Sequence, residues 1–216
     1  MSNVRRRMPT YTSAKAFIAA VTATYRALPA YSDAGHIRSF RQRDRVTCRF
    51  ESSFLPPALF RFAFESPHPY RPLSHRVMRH VIGNAADGPY FFTRSYDGEA
   101  RLERDEPLDM VVAGATGISR GSAHTIAALL FSEIGGFELE NLTRTRFRRN
   151  RIIGGIACKQ VSGLHPAGGR ITAFIGQDDL LLRKLVYDRF KQEQLRYNIA
   201  TELVHATQHY DAPVDA

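Results

Sequence analysis

Between Thr24 and Phe64 the chain passes through Thr24-Tyr25-Arg26-Ala27-Leu28-Pro29, then Val46-Thr47-Cys48-Arg49-Phe50, then Phe54-Leu55-Pro56-Pro57-Ala58-Leu59-Phe60-Arg61-Phe62-Ala63-Phe64. The first piece is the end of an amphipathic helix, and the other two alternate aromatic with charged residues around Pro56-Pro57. Side chains on a strand point to opposite faces in turn, so Phe60, Phe62 and Phe64 share one face while Leu59, Arg61, Ala63 and Glu65 share the other. A helix followed by such a hairpin predicts a strongly curved antiparallel sheet with a helix inside it.

Upstream, Phe17, Ile18, Val21, Tyr25 and Leu28 recur at helical spacing, Thr12 or Ser13 supplies a cap, and Pro29 discourages continuation, which predicts a helix near residues 13 to 28. Arg5-Arg6-Arg7 and the apolar Ala16 to Val21 imitate a secretory signal, but the apolar region is brief and Arg26 soon follows. For an exported protein, the native signal is expected to be already removed from this chain.

Downstream, strand-like runs are Gly35-Gln42, Arg45-Phe54, Ala58-Glu65, Arg76-Gly83, Tyr90-Tyr96, Asn141-Arg149, Ile152-Ser162, Arg170-Gly176 and Leu180-Phe190. Turn signals separate many of them at Asp87-Gly88, Asp97-Gly98, Ala167-Gly168-Gly169 and Gln177-Asp178-Asp179. One helix interrupts them, with Ser122 as its cap, Ile126, Leu129, Leu130 and Ile134 as its apolar stripe and Gly135-Gly136 as its stop. The tail from Lys191 to Tyr210 fits a charged helix or a final strand, with extended structure favoured for Val204-Tyr210. The fold class is α+β: an incomplete β-barrel wrapped around one or two helices, with residues 1–12 a disordered start, 13–210 one domain and 211–216 a tail.

With 216 residues, 44% hydrophobic and 24% charged, the chain has the composition of an ordinary globular domain and no run long enough to span a membrane. Its formal charge of +9 is uneven. Arg144, Arg146 and Arg148 would line one face of a strand and pair with phosphates or carboxylates. No nucleic-acid-binding motif accompanies them, so no nucleic-acid partner is expected.

No acid, base or ligand set dominates. Cys48 and Cys158 are too few for a disulfide framework or a zinc site and read as small buried residues, with one bridge between them left open. Gly117-Ile118-Ser119-Arg120-Gly121 matches G-x-S-x-G after the apolar run Met110-Val111-Val112-Ala113. Chain order then permits a triad of Ser119, Asp178 or Asp179, and His205 or His209, in which Ser119 attacks an acyl carbon. An α/β-hydrolase needs parallel β-α units, whereas hairpins precede Ser119, so its hydroxyl is expected to satisfy backbone groups instead. His205 and His209 stand four apart without a third metal ligand, and neither metal nor cofactor is expected. Asn141-Leu142-Thr143 fits a glycosylation acceptor only in a eukaryotic secretory pathway.

The run Thr24 to Gly35, with Tyr31-x-Asp33-x-Gly35 at the strand entry, resembles the opening of LolA/LolB-like envelope proteins, particularly an uncharacterised branch. The Phe54 to Phe64 hairpin, Ala115-Thr116-Gly117-Ile118-Ser119 and the Ile175 to Lys184 hairpin resemble further parts of it. The resemblance implies a half-barrel with an apolar cavity that receives a lipid or the acyl chains of a lipidated protein, without catalysis, in the periplasm or cell envelope. Phe50, Phe60, Phe62, Phe64, Phe92 and Phe174 would line it, and arginines at the rim would select an anionic headgroup. The chain lacks the carriers' signal and lipid-modified cysteine, so a cytoplasmic location stays open. Competing readings are the serine esterase and an envelope sensor that binds protein partners.

Overall fold

A computed structural model describes residues 10–39, 45–67, 77–135, 139–166, 168–189 and 193–202. The first helix, α1 (Ala14–Arg26), begins where Ser13 Oγ accepts the Ala16 amide at 3.1 Å. Phe17, Ile18, Val21 and Tyr25 form its buried stripe, each at most 2% exposed. Burying side chains of this size contributes roughly 1.5 to 3 kcal/mol apiece, which fixes the face that α1 turns inward.

Six strands follow as a meander: β1 (Tyr31–Ser39), β2 (Arg45–Leu55), β3 (Leu59–Pro67), β4 (Val77–Ala85), β5 (Gly88–Arg94) and β6 (Ala100–Glu103). The helix pair α2 (Leu108–Ile118) and α3 (Ser122–Leu130) then leads, through a 3-10 turn at Leu139–Asn141, into a second meander. That meander comprises β7 (Thr143–Phe147), β8 (Arg151–Ile153), β9 (Ile156–Leu164), β10 (Arg170–Gly176), β11 (Leu182–Arg189) and β12 (Glu193–Glu202). Every pairing is antiparallel, in the order β6-β5-β4-β3-β2-β1-β12-β11-β10-β9-β7, with β8 on β9. The first and last strands therefore meet at the centre, and β6 and β7 remain unpaired edges among the described residues.

Inner-facing residues from both meanders, including Phe60, Phe62, Ile82, Val161, Ile171 and Leu185, join one core with all three helices. Phe17 of α1 packs on Phe147 of β7 at 5.8 Å, while Tyr25, two turns on, packs on Tyr31 of β1 at 5.3 Å. One short helix can touch both only if the sheet bends around it. The α+β, unclosed and curved arrangement expected from the Phe54 to Phe64 hairpin is what the chain forms.

Several elements differ from expectation. Three helices fill the interior rather than one or two, because Val111, Val112 and Ala115 of α2 bury a helical stripe in a run short enough to read as a strand. Ser122 opens α3 as its first residue, and the cap position falls to Gly121 at φ 87°, a left-handed backbone that suits glycine. The expected strand Ile152-Ser162 is two, folded at Gly154-Gly155, both with positive φ. The favoured extended stretch Val204-Tyr210 lies outside the described residues, although β12 just before it is extended.

Candidate functional site

The hairpin β2–β3 builds the aromatic face. Phe50 stacks on Phe62 at 5.4 Å, and Phe62 meets Phe64 at 5.8 Å. Phe131, just past α3, inserts edge-on between Phe54 (5.2 Å) and Phe60 (5.4 Å). Phe60 and Phe62 are fully buried, so the helices fill this face.

Two of the six expected lining residues do not join it. Phe92 pairs with Val81, one residue out of phase with the inward Phe91–Ile82 pair, and packs with Ala63, Val81, Ala85 and Tyr90 in a separate cluster on the opposite face. There Gly83 is needed: a Cβ would collide with the Phe60 carbonyl and lie 2.8 Å from the Tyr90 hydroxyl. Phe174 alternates with the buried Ala173 and Ile175 and lies under Lys184 Nζ at 5.7 Å. Both misplacements have one cause, since aromatic character alone does not report strand phase.

Two polar groups sit within the aromatic face, and neither stood out as chemistry in the sequence. Tyr31 donates to Asp33 Oδ2 at 2.7 Å and Ser52 Oγ donates to Asp33 Oδ1, while Tyr25 Oη accepts the Leu182 amide at 2.9 Å. Burial raises the Asp33 carboxyl to about 6, against the pull of these hydrogen bonds. His80 stacks on Phe64 at 4.7 Å and bonds Ser66 Oγ (3.1 Å) and Thr93 Oγ1 (3.2 Å), and burial lowers it to about 4. The Tyr31-x-Asp33 spacing was the signal available for the first, because residues two apart on a strand share a face.

On the opposite face of β1–β4 lies a groove of about 670 Å³. His36, Arg38, Arg49 and Arg79 line it with Glu51 and Glu65, over Ala34 and Ala63. Phe50 and Phe64 also border it. Register builds its central row: Arg49 opposes Glu65, and Glu65 opposes Arg79. Burial, then Arg38 and Arg49, lower the His36 imidazole, the effect of a positive field on a group that would add another charge. Phe60 and Phe62 of the aromatic face are fully buried, whereas this open volume is lined largely by charged side chains of the alternate strand phase.

Arg144 and Arg146 of β7 and Arg148 just after it do not form a continuous ridge. Arg144 has φ 49° at a register shift, which breaks the two-residue alternation, whereas Arg146 opposes Ser162 and Arg148 Nε donates to Ser162 Oγ at 3.0 Å. All three are exposed.

Ser119 is fully buried at the corner between α2 and α3. Its Oγ donates to the Thr116 carbonyl at 3.4 Å and accepts the Ala123 amide at 3.2 Å. A helix precedes it, so the strand-turn-helix that aims a nucleophile outward is missing. Asp178 is exposed in the β10–β11 turn, where Asp179 accepts the Leu181 amide at 3.0 Å and pairs with Arg183. His205 and His209 lie outside the described residues. Cys48 and Cys158 are free buried thiols, and burial pushes Cys48 to about 12 and raises Cys158.

An unclosed antiparallel sheet laid around helices is also found among solved structures. LprF from Mycobacterium bovis superposes with a TM-score of 0.50 at 13% identity, over 90% of this chain and 94% of that one. An uncharacterised conserved protein from Thermus thermophilus gives 0.47 at 12% identity, over 92% and 94% of the two chains. The Mycobacterium tuberculosis lipoprotein LppX gives 0.42 at 12% identity, over 87% and 93%. No protein-family profile and no curated protein matches the sequence. At these identities the likeness is one of fold, so function has to be argued from the side chains.

Proposed function

We propose that the protein binds a lipid, a lipoprotein acyl chain or another apolar ligand in the cell envelope, without catalysis. The observation that carries this reading is the roof of the aromatic face. Phe50, Phe60, Phe62 and Phe64 are covered by helices rather than by a second sheet, and α2, which starts after Pro107, has no side-chain N-cap, in contrast to α1. A missing cap leaves a helix about 1 kcal/mol less stable. Displacing this pair exposes the aromatic face, and an acyl chain replaces its contacts at roughly 0.8 kcal/mol per buried methylene. Native mass spectrometry before and after organic extraction tests this. Extra mass removed by the solvent is expected; a protein that is always lipid-free and takes up no fluorescent fatty acid defeats the reading.

The open groove favours a second reading, in which a small anionic ligand binds between Arg38, Arg49 and Arg79. Calorimetry with pyrophosphate separates the two: here Arg49→Gln abolishes binding and Phe131→Ala does not, whereas fatty-acid uptake responds in the reverse order.

A further inference from the structure

The hairpin β8–β9 presents apolar side chains that the core does not use. Ile152 is 75% exposed and Ile156 39%, on either side of the Gly154-Gly155 turn, with Ala157 also exposed. Register pairs Ile152 with Ala157 and Ile153 with Ile156, so apolar side chains stand on both faces beside the glycine turn and form a small apolar tip. Arg149 and Arg151 stand next to it, and Arg144, Arg146 and Arg148 follow further back along β9, all exposed. Between Glu140 and Asp178 the sequence has seven Lys and Arg and no Asp or Glu. Of the acids that the fold returns to this region, Asp179 is engaged with Arg183, Asp188 opposes Arg170, and Asp178 in the turn beside β9 is the one nearest the tip.

We propose that this corner docks on an anionic phospholipid surface, with Ile152 and Ile156 entering the headgroup boundary and the arginines pairing with phosphates. The chemistry favours a membrane: an exposed apolar tip gains by leaving water for hydrocarbon, which a nucleic acid or the charged face of an acidic protein does not offer, while the neighbouring guanidinium groups match phosphodiesters. The proposal does not depend on a ligand in the interior, and a lipid-free core would leave it standing.

The chain has no tryptophan, so one introduced at the tip is a unique reporter. Ile152→Trp is expected to shift its emission to the blue with vesicles of phosphatidylglycerol and phosphatidylcholine, and not with phosphatidylcholine alone. Val77→Trp, on an exposed residue of β4 in the other meander, is expected to stay unshifted. In co-sedimentation with the mixed vesicles, Arg149→Gln and Arg151→Gln should each weaken binding roughly fivefold, and Ile152→Ser about tenfold. These residues are exposed, so unchanged melting temperatures would show that the variants fold. Equal shifts at positions 152 and 77, binding that ignores lipid charge, or full binding by Ile152→Ser would each overturn the proposal. So would arginine-dependent binding to an oligonucleotide as tight as that to the vesicles.

Discussion

The two faces of β1–β5 carry the same backbone and differ in what water does to them. Inside, Phe50, Phe60, Phe62 and Phe64 pack with three helices, and the polar groups that alternation forces among them, Asp33 and His80, are shifted toward their neutral forms. Outside, Arg49, Glu65 and Arg79 stand charged and exposed along one row of the sheet. One strand thus supports two electrostatic regimes across the thickness of a single sheet. The face a residue takes matters more for its chemistry than its type does.

The sharpest way to break this contrast is to truncate one residue on each face. Phe60→Ala removes a fully buried ring that touches Phe131 and should cost about 3 to 5 kcal/mol of stability. Arg49→Ala should cost within about 0.5 kcal/mol. Urea unfolding of both variants checks the comparison, and equal losses would mean that the two faces are not distinct.

Where alternation was unambiguous, the fold was legible. Phe60-Arg61-Phe62-Ala63-Phe64 announced both strand and face, and Ser13 and Pro29 bracketed α1 closely. What escaped was phase and depth. Phe92 and Phe174 lie in runs where both neighbours are also apolar or small, so no alternation marks the inward side. Arg144 misled because a bulge resets the period, and α2 was missed because its stripe is three small residues in eleven. Asp33 and His80 were invisible as a pair, since they meet the same interior from strands far apart in sequence. The groove depended on register across three strands, which no local pattern carries.

A second comparison sits inside the aromatic face, where Asp33 and His80 respond to pH in opposite senses. The Asp33 pKa is raised from 3.8 to about 6, so the folded state keeps a proton that the unfolded state loses, and stability falls as pH rises between those values. The change is on the order of 2 to 3 kcal/mol. The His80 pKa is lowered from 6.5 to about 4, so the unfolded state gains the proton first, and stability falls as pH drops through that window. The two slopes oppose each other between pH 4 and 6, leaving the wild type comparatively flat. Asp33→Asn should make the urea midpoint climb with pH across this range, and His80→Gln should make it fall. Parallel profiles for the two variants would remove the assignment.

The smallest effect belongs to the outer row, and it separates a wet ion row from a buried one. Glu65 lies between Arg49 and Arg79 on neighbouring strands, where its charge offsets two like charges that would otherwise face only each other. All three are exposed, so solvent screens them and the net stabilisation is small. Glu65→Gln should therefore destabilise the protein by about 0.5 kcal/mol at low ionic strength, and by less at about 1 M salt, where the screening length is near 3 Å. The same salt series should leave the cost of Phe60→Ala almost unchanged. A salt-independent loss at Glu65 would mean that the row is shielded from water and that its arginines hold the groove together instead of lining it.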